Sequence, residues 1–220
     1  MTKIPIPCLC LVIDLQIFKN GLSENIVRKS IKAGINMLQL RDKNALKIDL
    51  LKSATSIRLM TKHKPLFLIN DHLDIANTCE ADGVQLGEKS ASVKLARDIT
   101  KNMLIGRSVH DIEGAIQAEK DGADFLIVGT IFPSSSHPNE TPKGLNLLKE
   151  LAKIIKIPFL AIGGISKDNI GSVIEAGASG AAVISAISSA NNPTQATIDL
   201  LNKMKLAWLS KHQVNLNTLS

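Results

Sequence analysis

The sequence predicts a (β/α)8 barrel, eight parallel strands closed into a ring with a helix after each. Three observations predict it. Eight short apolar runs recur along the 220 residues, with amphipathic segments between them. Several of these runs are apolar at consecutive positions, the pattern of strands buried on both faces of a parallel sheet. Four segments, "KAGINMLQL", "EADGVQL", "KDGADFLIV" and "EAGASGAAVIS", each pass from a helix end through a glycine turn into a strand. They fall at the second, fourth, sixth and eighth strands, so a βαβα unit repeats four times. That count and the chain length match the barrel, near the short end of its size range. A doubly wound open sheet is the alternative, and it gives no reason for four similar units. No linker or shift of composition divides the chain, which predicts one barrel domain over 1–210 and a polar tail over 211–220.

In order, the strands are read at "CLCLVID", "INMLQL", "PLFLIN", "GVQL", "MLIG", "DFLIVGTI", "PFLAIG" and "AAVIS". Cys8 and Cys10 alternate along the first strand, so both face one side of the core. "SENIVRKSIKAG" reads as a helix capped by Ser23 and stopped at Gly34, since glycine takes the left-handed conformation that ends a helix. "KIDLLKSATSIRLMTKH" carries apolar residues at helical spacing, and "DIEGAIQAEKDG", "LNLLKELAKII" and "KDNIGSVIEAG" end alike. "PTQATIDLLNKMKLAWLSK" gives the last helix.

Composition narrows the function. At 45% hydrophobic and 21% charged, the chain is an ordinary globular protein. With five Phe, one Trp and no Tyr, its core is aliphatic. The net charge of +6 suits an anionic partner. The lysines are scattered, however, with no basic cluster or aromatic platform, which argues against nucleic acid. The scattered lysines read first as solvated helix faces, with phosphorylated small molecules as the anions such a charge would suit. Cys8, Cys10 and Cys79 form neither a disulfide framework nor a metal-ligand spacing, as expected of a reducing cytoplasm. The first residues, "MTKIPIPCLCLVID", do not read as a secretion signal, and no run nears the ~20 apolar residues that span a bilayer.

Barrel active sites lie at the C-terminal ends of the strands, so those ends nominate the chemistry. Gln39, Arg41 and Lys43 alternate after the second strand and point to one face. Two inward cations are costly to bury mid-strand, whereas at a strand end they meet an anion, arginine forking onto phosphate oxygens. A solvated strand end is the plainer reading. Asn70 and Asp71 end the third strand with an amide and a hard carboxylate of the kind that holds Mg²⁺ with substrate phosphates; "ND" is also a common helix cap. "AIGGIS" places Gly163 and Gly164 in a turn before a helix, where backbone N–H groups hold phosphate, or where two glycines merely turn the chain. Ile184 and Ser185 follow the eighth strand, beside the same expected phosphate position.

These segments bring a known family into view. "MLQLRDK", "LINDHLDIANTCEADGVQLG", "IGRSVHDIEGAIQAEKDGADFLIVGTIFP" and "IPFLAIGGISKDNIGSVIEAGASGAAVISAIS" resemble, in order, the thiamine phosphate synthase and thiazole tautomerase superfamily, from about Cys8 to Ile187. The resemblance implies a synthase joining 4-amino-2-methyl-5-hydroxymethylpyrimidine diphosphate to thiazole phosphate, with Mg²⁺ as cofactor. It implies that Gln39, Arg41, Lys43 and Asn70 hold the diphosphate, that Asp71 binds Mg²⁺, and that Ser108 sits by the reacting pyrimidine, making Arg41, Lys43 and Ser108 the catalytic set. Gly164, Ile184 and Ser185 match backbone positions around the thiazole phosphate. A homo-oligomer is compatible with this reading.

The chain also departs from the family pattern. The long polar loop "GTIFPSSSHPNETPKG" carries Ser134 and Ser136 where synthases have threonines, and His137 where they have lysine. Histidine, with an ordinary pKa of about 6.5, is only partly charged at neutral pH; the loop reads as a modified substrate lid. Ser90 replaces the second Mg²⁺ carboxylate, with Glu88 two residues away as its substitute. The tautomerase branch has a catalytic histidine after the glycine that ends the sixth strand; Thr130 stands there, although "IGRSVH" and Gln85 lean toward that branch. The expectation is a synthase. Its alternatives are a tautomerase using His137 or His110, and a non-catalytic protein that binds thiazole or thiamine phosphate.

Overall fold

Side chains alternate across a strand, and closing eight strands into a ring sorts each strand into an inner and an outer set. The computed structural model describes residues 3–14, 22–42, 44–62, 64–100, 102–134 and 141–217. Its strands are β1 (Cys8–Asp14), β2 (Met37–Arg41), β3 (Leu66–Asn70), β4 (Gly83–Leu86), β5 (Leu104–Val109), β6 (Phe125–Val128), β7 (Phe159–Ile162) and β8 (Gly180–Val183). Each pairs in parallel with its neighbour, and β8 closes on β1, with Cys8 opposite Gly180. The barrel expectation holds.

Inside the ring, Cys8, Cys10, Val12, Met37, Leu68, Leu104, Phe125, Ile127, Leu160 and Ala182 form one apolar cluster. Their strand neighbours, among them Leu9, Leu11, Leu38, Phe67 and Val84, face the helices in a second, larger one. Cys8 and Cys10 do share a side, the inner one.

Nine helices lie among the described residues: α1 (Leu22–Lys32), α2 (Lys47–Met60), α3 (Leu73–Thr78), α4 (Val93–Ile99), α5 (Ile112–Lys120), α6 (Gly144–Ile154), α7 (Ile170–Glu175), α8 (Ser185–Ser188) and α9 (Pro193–Asn217). Helix α1 begins at Leu22, so Ser23 lies in its first turn and not ahead of it. Asp111 caps α5, its Oδ1 accepting from Gly114 N at 2.7 Å. Helix α9 continues to Asn217, past the 210 boundary read from the sequence, and packs on α1 and α7.

The fourfold echo has a physical meaning. In three of the four units, the polar residue just ahead of the even strand accepts a backbone N–H near the start of the preceding odd one. Asn36 Oδ1 accepts from Leu9 N at 2.9 Å, Asp82 Oδ2 from Phe67 N at 2.8 Å, and Asp124 Oδ2 from Ile105 N at 2.7 Å. Arg58 pairs with Asp82 and Arg97 with Asp124, so both carboxylates are compensated. One glycine differs from expectation. In "EADGVQL" the left-handed residue is Glu80 (φ 53°), and Gly83 already belongs to β4.

Burial makes the thiols inert. It pushes Cys8 up to about 12 and raises Cys10 well above the ordinary range, with Cys8 adding to it; it also raises Cys79. A raised value leaves the unreactive thiol in place at about pH 8. An aromatic disulfide reagent should therefore titrate no thiol in the native protein and all three after urea denaturation.

Candidate active site

At the C-terminal ends of the strands lies a cavity of about 810 Å³. Every strand, or the loop after it, contributes to its wall, including Val12, Gln39, Asn70, Gly87, Ser108, Ile127, Ile162 and Ala182. The inner face of the ring thus turns from apolar to polar as it rises. Gln39, Arg41, Asn70, Asp71, Glu88, Ser90, Ser108, Ser134, Gly163, Gly164, Ile184 and Ser185 all line this cavity. Lys43, Ser136 and His137 lie outside the described residues.

The polar groups are joined across strands. Gln39 Nε2 donates to Asn70 Oδ1 at 3.4 Å, Asn70 Nδ2 to the Gln85 main-chain oxygen at 3.1 Å, and Gln85 Nε2 to Ser108 Oγ at 3.0 Å. Arg41 Nη1 pairs with Asp14 Oδ2 at 2.6 Å, the two side chains being 17% and 13% exposed. A guanidinium has five N–H donors, so this bond holds Arg41 at the mouth and, among the described residues, engages one of the five.

Asp71 does not cap a helix. It sits at φ 60°, a backbone state few non-glycine residues adopt, directly after β3. His72 takes the cap position of α3 without a side-chain bond. The Asp71 carboxylate instead accepts the Ser90 hydroxyl at 2.5 Å, and Ser90 Oγ in turn accepts from Gly87 N at 2.8 Å. Strain kept at a cavity rim is a mark of functional sites.

On the opposite rim, Gly163 and Gly164 have φ of 99° and 62°, and a Cβ on Gly164 would lie 2.4 Å from the Pro133 oxygen. Only glycine lets the turn pass this close to the loop after β6. That loop leaves and returns to one spot: Lys143 N bonds Thr130 O at 2.8 Å and Gly144 N bonds Ile131 O at 3.0 Å. Ser134, on its outgoing arm, faces the cavity.

Asp14, which pairs with Arg41, was missed as a candidate. Asp14 ends β1, so the strand-end rule would have found it had it been applied there. His110, weighed from the sequence as a tautomerase base, is in the wall; its Nδ1 lies 2.5 Å from the Gly129 carbonyl. A carbonyl only accepts, so His110 Nδ1 donates to it. Thr130 lines the cavity at the tautomerase base position, and its hydroxyl cannot act there as an imidazole does.

A closed (β/α)8 barrel with a large cavity of mixed polar and apolar lining at the C-terminal ends of its strands is the form of a barrel enzyme. Comparison with known proteins specifies which. The family model for thiamine monophosphate synthase matches residues 9–187. A thiamine-phosphate synthase of Pyrococcus furiosus is 38% identical over 79% of this chain and 84% of its own length. Its counterpart in Clostridium acetobutylicum is also 38% identical, over 83% and 87%. A solved thiamine phosphate pyrophosphorylase from Pyrococcus furiosus superposes with a TM-score of 0.83 at 35% identity, covering 91% of this chain and 96% of that one. The chain belongs to the thiamine monophosphate synthase family and is a transferase.

Substituting Gly164→Ala tests the glycine turn. The left-handed φ costs an alanine about 1–2 kcal/mol, and the contact with the Pro133 oxygen adds to it. A fall in urea-unfolding stability of at least about 1 kcal/mol is expected, with weakened inorganic phosphate binding by calorimetry.

Proposed function

We propose that this chain condenses 4-amino-2-methyl-5-hydroxymethylpyrimidine diphosphate with thiazole phosphate, giving thiamine phosphate and pyrophosphate. The observation that carries the reading is the meeting of Arg41, Asp71, Ser108 and Gly164 at one cavity, within a chain of this family. The bond from the pyrimidine methylene to the diphosphate oxygen breaks, and its electron pair leaves with the diphosphate. The thiazole nitrogen then supplies the lone pair for the new carbon–nitrogen bond. No side-chain nucleophile is required.

Arg41 binds the departing diphosphate, and Gln39 and Asn70 supply amide donors beside it. The Gly163–Gly164 turn and the backbone at Ile184 and Ser185 hold the thiazole phosphate on the opposite rim. The two reactants meet over Ser108. Most of the acceleration comes from this positioning and from neutralising the leaving charge.

Mg²⁺ fits the donor set at the third and fourth strand ends. It is typically held by one or two carboxylates together with substrate phosphates, and Asp71 with Glu88 supplies hard oxygen ligands of that number on one rim. Ser90 orients the Asp71 carboxylate through its hydrogen bond. When bound, the metal supplies positive charge against the diphosphate.

Supplied with both substrates and Mg²⁺, the protein should form thiamine phosphate, and chelation should abolish product. Arg41→Ala should lower kcat/KM about 10²-fold or more, by analogy with the loss of one donor to a developing anion. Wild-type enzyme without product would end the reading. In a separate titration, Ser90→Asp should lower the half-saturating Mg²⁺ concentration about tenfold, within the range by which groups around a metal site tune it.

A further inference from the structure

We propose that Gln85 is a positioning residue: from behind the cavity wall its amide fixes the Ser108 hydroxyl so that the serine proton is presented to the bound pyrimidine. The identity of that ligand rests on the synthase reading; the orientation of the serine does not. Gln85 is 1% exposed on β4, whereas Ser108 on β5 lines the cavity. Gln85 Nε2 donates to Ser108 Oγ at 3.0 Å. A hydroxyl has one hydrogen to give and two lone pairs. With a lone pair engaged from the wall, its hydrogen is directed to the open side, which is the cavity.

The surroundings hold Gln85 in this pose. Asn70 Nδ2 bonds its main-chain oxygen at 3.1 Å. Gly106 leaves the space its amide occupies: a Cβ there would lie 2.1 Å from Gln85 Oε1 and 2.3 Å from Phe125 Cζ. The pose is also costly, because Gln85 Oε1 is buried without a hydrogen-bond partner among the described residues. An apolar residue of the same shape would avoid that penalty. What the amide contributes is therefore the orientation of Ser108, not stability.

Gln85→Met keeps the volume and removes the donor; Gln85→Leu is the second variant should the first fold poorly. Neither should melt below wild type by more than a few degrees. Gln85→Met should lower kcat/KM for the pyrimidine diphosphate about tenfold, but less than about twofold in a Ser108→Ala background, since the two residues act as one unit. High-resolution crystal structures should show one Ser108 χ1 rotamer in wild type and several in Gln85→Met. An unchanged kcat/KM, an undiminished effect in Ser108→Ala, or a single retained rotamer would overturn the proposal. Should wild type form no thiamine phosphate, the synthase reading fails, and the rotamer comparison alone decides the role of Gln85.

Discussion

Neighbouring side chains on a strand face opposite ways, and every feature of the cavity obeys that constraint. Cys10 and Val12 on β1, or Met37, Gln39 and Arg41 on β2, are successive inner residues of single strands. Low in the ring these positions are apolar and fill the interior. High in the ring they become amides, a guanidinium and a hydroxyl. A slip of one residue in β2, for example, would carry Gln39 to the helix face and put Leu38 or Leu40 in its place. The register that builds the core and the register that builds the site are one and the same.

The cavity keeps a polar belt at some cost. Gln39 and Gln85 are 4% and 1% exposed, and each has an amide oxygen without a partner among the described residues. Leaving a buried acceptor unpaired costs about 1–3 kcal/mol. The other end of the barrel is arranged differently. There the carboxylates of Asp82 and Asp124 are met by both a strand N–H and an arginine. Satisfied polar groups at one end and unsatisfied ones at the other divide the barrel between stability and chemistry, as the fold commonly does.

Much of this was legible in the sequence. The strands were visible because parallel strands buried on both faces appear as unbroken apolar runs, and β1 and β4 coincide with the quoted "CLCLVID" and "GVQL". The strand-end rule nominated Gln39, Arg41, Asn70 and Asp71, and the resemblance added Ser108; all five line the cavity. Helices α3 and α4, six and seven residues long, are too short for a helical period to declare itself. The Ser90–Asp71, Gln85–Ser108 and Arg41–Asp14 contacts were not legible. Each joins residues from neighbouring strands or their ends, and only the parallel pairing and its register bring them within reach. The reading of "ND" as a helix cap was local, and the tertiary bond from Ser90 displaced it.

The tie between Thr130–Ile131 and Lys143–Gly144 has a consequence for how this barrel can change. Those two main-chain bonds shut the connection into a handle whose feet stay planted whatever its length. Since the entropy of closing a flexible loop grows only with the logarithm of its length, residues can be gained, lost or exchanged in the handle while β6 and α6 keep their places. Variation can accumulate between those feet without disturbing β6, α6 or the cavity wall they carry. In the sequence of this chain, that stretch holds serines and a histidine.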